Sequence, residues 1–224
     1  MRCEFIKKGG CSLVLFVAGY GQELAPFERF KDDLAEDTAL LMIWDYRNPQ
    51  LSLPDFSAYA KVRLIAWSMG VMYAPALFDK ANLPFERRIA VNGSCEGIDA
   101  EFGISPKLWE RTIAEMNDQS AYAFCRLMCL SPKLLKDYLK AGKMRDPGSL
   151  KAELEAILSF ARELDPKRSR GFYTEAYTCA KDLIFPPEAV KRSFARQGIE
   201  VLQEPGAHYC PELFSKLFAA PFEP

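Results

Sequence analysis

Residues 64–70 read Leu-Ile-Ala-Trp-Ser-Met-Gly, and the rest of the chain is best interpreted from this stretch. The apolar run before Ser68 predicts a buried strand, and the run after it, 69–78, predicts a helix. A serine at a sharp strand-to-helix turn, with Ala66 and Gly70 two residues to either side, is typical of a nucleophile elbow. The pattern is short, so the prediction of Ser68 as a nucleophile depends on finding its partners elsewhere in the chain.

The composition excludes several classes of protein. Hydrophobic residues make up 49% of the 224 residues, and the formal net charge is −1, so we expect one ordinary core and no nucleic-acid partner. No apolar run reaches the ~18 residues of a membrane span, and the first residues do not have the layout of a signal peptide. Seven scattered cysteines without a Cys-x-x-Cys pair favour reduced thiols over disulfides or a zinc site. We therefore expect a cytoplasmic protein, a monomer, without metal or cofactor.

Strand and helix patterns alternate along the first hundred residues. Apolar runs at 12–17, 39–44, 62–66 and 87–91 predict buried strands, and an amphipathic helix is predicted to begin at Pro26. A short strand at 3–7, followed by two glycines, is predicted to form a hairpin with the strand at 12–17. The alternation indicates an α/β fold with a mostly parallel central sheet, whose working groups collect at the carboxyl ends of the strands.

Helical patterns replace strand patterns between residues 99 and 170. Helices are predicted at 107–116, 121–129, 132–141 and 150–164. After them a strand at 171–179, a helix at 188–197, a strand at 200–203 and a helix at 211–218 are predicted to complete the chain. We therefore expect a core formed by residues 1–98 and 171–224, with residues 99–170 inserted between two strands as a helical cap.

The only histidine of the chain, His208, follows the last predicted strand. A serine hydroxyl needs a base at neutral pH, and imidazole has a suitable pKa but itself needs a carboxylate to hold its tautomer. Asp182 follows the preceding strand, and the chain order Ser68, Asp182, His208 is that of the α/β-hydrolase triad. Asp45, at the end of an earlier strand, is the alternative acid, although a pair with Arg47 explains it better.

The oxyanion formed during ester hydrolysis needs two backbone donors. One is expected from the amide of Met69, the residue after the nucleophile, and the other from the loop after an early strand. That loop reads Ala-Gly-Tyr-Gly at 18–21, and its best donor is the amide of Tyr20. Gly19 and Trp67 are the candidates for contact with the substrate, although Trp67 is also compatible with simple packing.

The chain resembles the short α/β-hydrolases of the BioG type, which act as pimeloyl-[acyl-carrier-protein] methyl ester esterases in biotin synthesis. The likeness rests on Phe-Val-Ala-Gly-Tyr-Gly at 16–21, Ile-Trp-Asp-Tyr-Arg at 43–47, Ala-Trp-Ser-Met-Gly-Val at 66–71 and Val-Asn-Gly-Ser at 91–94, and it extends through the loops of the predicted acid and histidine. The resemblance implies hydrolysis of the methyl ester at the far end of the pimeloyl chain through an acyl-enzyme. Unlike hydrolases at large, the chain has no histidine before Gly19, and Ala66 replaces the first elbow glycine. Neither change removes a group that the mechanism needs.

The resemblance also implies an acyl carrier protein as partner. Acyl carrier proteins are acidic, and residues 126–151 carry seven basic side chains against two acidic ones. The candidate docking residues are Arg126, Lys133, Lys136, Lys140, Lys143 and Arg145. A merely solvated helix face is the alternative for this patch. Two alternatives also remain for the whole chain, a carboxylesterase or acyl thioesterase of other substrates and a hydrolase-fold binding protein without activity.

Overall fold

A central sheet of seven strands organises the computed structural model, which describes residues 1–165 and 169–223. The strands are β1 (Arg2–Lys7), β2 (Ser12–Val17), β3 (Thr38–Trp44), β4 (Lys61–Trp67), β5 (Phe85–Val91), β6 (Glu175–Cys179) and β7 (Val201–Glu204). Their order in the sheet is β1-β3-β2-β4-β5-β6-β7. Strands β2 to β7 pair in parallel, and only the edge strand β1 is antiparallel. The predicted α/β fold with a mostly parallel sheet is confirmed.

The predicted hairpin between the first two strands is wrong. Strand β1 pairs with β3, whereas β2 lies between β3 and β4. Every residue of β2 is buried, while β1 contains exposed and half-buried residues only. Both edges of β2 are occupied by parallel neighbours, so β1 cannot pair with it and instead joins the sheet at the outer edge of β3. The two glycines mark a change of chain direction, but they carry no information about the pairing partner.

The described residues also form seven α-helices and a 3-10 helix. These are the 3-10 helix Ala25–Asp33, α1 (Gly70–Phe78), α2 (Pro106–Ala114), α3 (Asp118–Cys129), α4 (Pro132–Ala141), α5 (Pro147–Glu163), α6 (Pro187–Ala195) and α7 (Pro211–Ala219). The predicted amphipathic helix after β2 is thus a 3-10 helix. Helices α2–α5 follow β5 and precede β6; within the predicted cap segment, residues 166–168 lie outside the described residues. None of the described helices is long and apolar enough to cross a membrane.

The core lies on both faces of the sheet because alternate residues of a strand point to opposite sides. In β2, Leu13, Leu15 and Val17 pack on the face that carries α1 and α6. Val14 and Phe16 pack on the other face, against the 3-10 helix and α7. Each fully buried side chain of this kind contributes about 1.5–3 kcal/mol. The sheet is therefore a rigid support for the loops at its carboxyl edge.

Candidate active site

Strands β3, β4 and β5 are each followed by a residue with unusual backbone conformation. Asp45 after β3, Ser68 after β4 and Asn92 after β5 have φ angles of 62°, 58° and 47°. This left-handed region is uncommon for residues other than glycine and costs about 1–3 kcal/mol, so it persists only where the surroundings enforce it. The backbone is therefore strained at these three residues, all of which lie at the carboxyl edge of the sheet. Ser68 stands at its centre, as the elbow pattern predicts.

Glycines allow the backbone to close around Ser68. A Cβ atom on Gly70 would lie 2.2 Å from the carbonyl oxygen of Val17, and one on Gly19 would lie 2.7 Å from the Cβ of Ser68. A Cβ on Gly93 would lie 2.2 Å from the carbonyl oxygen of Ser68. Sequence reasoning found the first two positions, whereas Gly93 appeared only within the Val-Asn-Gly-Ser motif at 91–94. Glycine is therefore required on three sides of the serine.

The structure brings together the three side chains predicted to act as a triad. The Oγ of Ser68 lies 2.9 Å from Nε2 of His208, and Nδ1 of the same ring lies 2.8 Å from Oδ2 of Asp182. The other carboxylate oxygen, Oδ1, accepts hydrogen bonds from the amides of Ile184 and Phe185, at 2.8 and 2.9 Å. These two amides fix the orientation of the carboxylate. Asp45, the alternative acid, instead accepts hydrogen bonds from a neighbouring arginine.

The backbone beneath His208 is held by two side chains. Trp67 Nε1 and Asn92 Nδ2 both donate to the carbonyl oxygen of His208, at 3.0 and 2.8 Å. Trp67 is completely buried, with its ring centroid 5.1 Å from that of the imidazole. The prediction of Trp67 as a substrate-contacting residue is therefore wrong, because its side chain has no exposed surface that a substrate could contact. Its role is to hold the backbone of His208 through a hydrogen bond. Sequence reasoning missed Asn92, whose position after a strand was its only signal.

The two predicted oxyanion donors are available. Within the described part of the chain, no acceptor is found for the amide N–H of Tyr20 or of Met69. Both residues line the same cleft as Ser68. Buried or half-buried amides are normally paired, so two unpaired ones beside a serine are positioned to bind a ligand oxygen. Gly19 is not among the residues that line the cleft; it is the point at which this loop approaches Ser68 closely.

The cleft has a volume of about 310 Å³ and is roofed by α2, α3 and α5. Its apolar lining includes Leu108, Trp109, Phe124, Leu127, Leu154 and Leu183. The polar side chains of Arg111 and Thr112 on α2 and of Glu115, the residue that follows this helix, also line it. An apolar cleft of this size with few polar groups suits a short acyl chain. Among the described residues, no group of three or more His, Cys, Asp or Glu side chains could hold a metal ion.

Arg145 does not belong to the exposed basic patch in which it was predicted. Its side chain is only 7% exposed and lies 2.6 Å from a carboxylate oxygen of Glu153, 3.5 Å from Glu23 and 3.6 Å from Asp45. Counting basic residues along a segment cannot reveal that one of them turns inward to carboxylates distant in sequence. The prediction of Arg145 as a docking residue is wrong.

The carboxylates around Arg145 respond to it differently. Burial by itself raises the pKa of Asp45, but hydrogen bonds from Arg47 and the charge of Arg145 together lower it. For Glu153, burial dominates and raises the pKa, against the opposing charge of Arg145. Arg145 therefore links Glu153 on α5 to Asp45 at the end of β3, and all three of these charged side chains are at most 7% exposed.

The remaining five candidate docking residues, Arg126, Lys133, Lys136, Lys140 and Lys143, are exposed. Lys133 forms an ion pair with Asp137 on the same helix, at 2.8 Å. None of the five lines the cleft, whereas Arg111, which sequence reasoning did not select, does. Arg111 lies 4.0 Å from Glu115, and both side chains are about two-thirds exposed.

Comparisons with known proteins show what the whole chain is similar to. The chain is 32% identical over 206 residues to a malonyl-[acyl-carrier protein] O-methyltransferase of Bacteroides fragilis (strain 638R), covering 92% of this chain but only 41% of that relative. The crystal structure of BioG from Haemophilus influenzae superposes with a TM-score of 0.83 at 26% identity, covering 98% of this chain and 97% of the other. The enol-lactonase from Burkholderia xenovorans LB400 shares the fold, with a TM-score of 0.69 at 15% identity over 96% and 94% of the two chains.

The family model described as pimeloyl-ACP methyl esterase BioG matches residues 1–219. This match confirms the resemblance drawn from the sequence motifs and supports a carboxylic ester hydrolase. The structural neighbours add that the fold is that of α/β-hydrolases. The chain is an α/β-hydrolase that belongs to the BioG family of pimeloyl-ACP methyl esterases.

Proposed function

We propose that this esterase hydrolyses the methyl ester of pimeloyl-acyl carrier protein, releasing methanol and a free carboxylate, with Ser68, His208 and Asp182 as its catalytic triad. The observation that carries the proposal is the hydrogen-bonded chain from Ser68 Oγ through the imidazole to Asp182, which opens into an apolar cleft. Membership of the family supports the choice of substrate.

The geometry supports an acyl-enzyme mechanism. Ser68 Oγ attacks the ester carbonyl carbon while Nε2 of His208 takes its proton, and Asp182 stabilises the imidazolium that forms. The carbonyl oxygen becomes an oxyanion that accepts hydrogen bonds from the amides of Tyr20 and Met69. The C–O bond to the methoxy group then breaks as His208 gives its proton to the departing methoxy oxygen, so that methanol leaves. Water repeats the same steps on the acyl-enzyme and restores Ser68.

The substrate also contains a thioester, which the enzyme has to leave intact. A cleft roofed by apolar side chains accepts the methylene chain from its methyl ester end, because the other end is attached through pantetheine to a carrier protein that is too large to enter. The length of the acyl chain then keeps the thioester at the mouth, away from Ser68. The enzyme thus selects the methyl ester over the thioester because only the methyl ester carbonyl enters the cleft far enough to meet Ser68.

The proposal is tested by steady-state kinetics on pimeloyl-acyl-carrier-protein methyl ester with wild type, Ser68→Ala and His208→Ala. Triad substitutions typically lower kcat by about 10⁴–10⁶-fold. We expect wild type to hydrolyse the carrier-bound ester and both variants to lose that activity while remaining folded. If wild type cleaves only simple p-nitrophenyl esters, the triad stands and the substrate is wrong. Failure of a fluorophosphonate probe to label folded wild type would overturn the triad itself.

We further propose that the acidic carrier protein docks on the exposed basic residues Arg126, Lys133, Lys136, Lys140 and Lys143. Charge reversal of Lys136, Lys140 and Lys143 together should raise KM for the carrier-bound ester and leave p-nitrophenyl ester hydrolysis unchanged, since the carrier alone interacts with the patch. Arg111→Glu is the informative comparison, because Arg111 lines the cleft and the three lysines do not. If only Arg111→Glu raises KM, the docking surface is the rim of the cleft and the lysine patch is a solvated face.

A further inference from the structure

One buried carboxylate on α5 holds two loops at the edge of the active site. Glu153 has no exposed surface and accepts three hydrogen bonds. The amide of Gly21 donates to Oε2 at 3.1 Å, and the amide of Tyr46 donates to Oε1 at 3.0 Å. The Arg145 guanidinium donates to Oε2 at 2.6 Å. The carboxylate therefore has donors on both oxygens, and two of them are main-chain amides from separate loops.

Through Tyr46, the same carboxylate also reaches the start of the loop that carries the predicted oxyanion donor. The hydroxyl of Tyr46 donates to the carbonyl oxygen of Ala18, and its ring stacks on Tyr73 at 4.0 Å. The loop from Ala18 to Gly21 is thus held at its first residue through Tyr46 and at its last residue directly. The amide of Tyr20 lies between these two points.

We propose that Glu153 is a positioning residue that sets the direction of the Tyr20 amide for the oxyanion. The inference rests on the proposed function, in which that amide binds the oxyanion. A hydrogen bond to an oxyanion weakens steeply when the donor is misaligned, so a fixed loop contributes directly to the rate. Glu153 acts through the loop and does not touch the reacting atoms.

The cost of burying Glu153 supports a positioning role. A buried carboxylate loses several kcal/mol of hydration, and a well-packed apolar residue in its place is often neutral or stabilising. What an apolar residue cannot do is accept two main-chain N–H groups from different loops. Arg145, which balances the charge, is itself held by Glu23 and Asp45, so the carboxylate is fixed from both sides.

Side-chain packing links the same loop to the helices above the cleft. The ring of Tyr20 contacts those of Trp109 and Phe124, with centroids 6.1 and 5.4 Å apart. Trp109 Nε1 donates to the carbonyl oxygen of Leu154, one residue after Glu153 on α5. Helix α5 therefore aligns the Tyr20 amide on one side and lines the acyl cleft on the other.

The test compares Glu153→Gln with Tyr46→Phe and a control, Glu96→Gln. Glutamine offers one acceptor oxygen where donors approach both oxygens of Glu153, so one loop amide is left facing an NH2 group. Because loss of an oxyanion donor costs about 10²–10³-fold in kcat, we expect a fall approaching that range for Glu153→Gln, with KM within about threefold of wild type. Tyr46→Phe removes only the bond to Ala18 and should lower kcat by about tenfold.

The control separates positioning from general destabilisation. Glu96 accepts hydrogen bonds from Ser193 on α6 and from Arg196, the residue that follows this helix. Among the described residues it makes none to the loop from Ala18 to Gly21. Its replacement should lower the melting temperature and leave kcat unchanged. Affinity for an alkyl boronic acid, which forms a tetrahedral adduct with the serine, should fall with kcat for Glu153→Gln and Tyr46→Phe but not for Glu96→Gln.

The outcomes distinguish this proposal from the proposed function. If folded Glu153→Gln keeps kcat and boronate affinity within about threefold of wild type, the positioning role is overturned. If that variant does not fold, Tyr46→Phe decides, and an unchanged kcat overturns the proposal. All of these measurements can be made with a p-nitrophenyl ester, so they remain valid even if wild type does not cleave the carrier-bound ester.

Discussion

Replacement of Asp182 by asparagine should disable the histidine while leaving the fold intact. In wild type, Oδ1 of Asp182 accepts the amides of Ile184 and Phe185, and Oδ2 faces Nδ1 of His208. Asparagine has to place its oxygen toward the two amides, because an NH2 group there would face two N–H donors at a cost of about 1–3 kcal/mol each. Its NH2 group then donates to Nδ1. The proton of the imidazole is forced onto Nε2, which faces Ser68 and can no longer accept its proton.

The size of the effect follows from the loss of the base. The wrong tautomer lowers kcat by about 10⁴-fold, which corresponds to about 5 kcal/mol in the activation free energy. The assay is kcat on p-nitrophenyl butyrate and on the carrier-bound methyl ester, with melting temperature as the measure of folding. Both substrates should lose activity, since His208 has to take the proton of Ser68 before the serine can attack either ester.

Asp45→Asn is the matched control, because Asp45 is the other acid at the carboxyl edge and pairs with Arg47 and Arg145. It should change kcat by less than about tenfold, since Asp45 does not contact His208. The reasoning would be refuted if Asp182→Asn kept more than about a tenth of wild-type kcat, or if Asp45→Asn lost as much as Asp182→Asn.

Two further predictions concern stability. In Gly70→Ala the new methyl group meets the carbonyl oxygen of Val17 at 2.2 Å, so urea unfolding should show that the free energy of unfolding falls by at least about 2 kcal/mol. In the control Gly148→Ala, the new Cβ would meet only a side-chain oxygen at 3.2 Å, and the free energy of unfolding should hardly change. Equal losses in the two variants would contradict this reasoning. Hydrogen bonds from Arg87 lower the pKa of Glu175. The pair therefore stabilises the fold at pH values above 4.5, the ordinary pKa of a glutamate, and this stabilisation is lost as the pH falls through the lowered pKa. The difference in urea midpoint between wild type and Glu175→Gln should therefore shrink on acidification, and a difference that grows would exclude this linkage.

The parts of the site that sequence predicted are those with local signatures. Ser68 is marked by small residues at fixed spacing, and His208 is the only histidine and follows a strand. Once Ser68 and His208 are assigned, the order of the α/β-hydrolase triad along the chain predicts Asp182 as the acid. The parallel sheet was likewise predictable, since long apolar runs such as β2 and β3 require burial on both faces.

The remaining features depend on contacts between distant residues, which periodicity and composition do not encode. The partner of β1 is set by which sheet edge stays open after β2 has two neighbours. Arg145 has the same sequence signal as the exposed lysines near it, yet it meets a carboxylate eight residues away on α5 and others much earlier in the chain. Glu153 on α5 looks like any polar helix residue until its partners, the amides of Gly21 and Tyr46, are known.

The most direct test of the central claim is the intact mass of pimeloyl-acyl-carrier-protein methyl ester after incubation with the enzyme. The proposed reaction predicts a mass lower by one CH2 unit, with the acyl chain still attached to the carrier, and no change with Ser68→Ala. Release of the whole acyl chain would mean that the thioester is the scissile bond. An unchanged mass with active wild-type enzyme would contradict the proposed substrate.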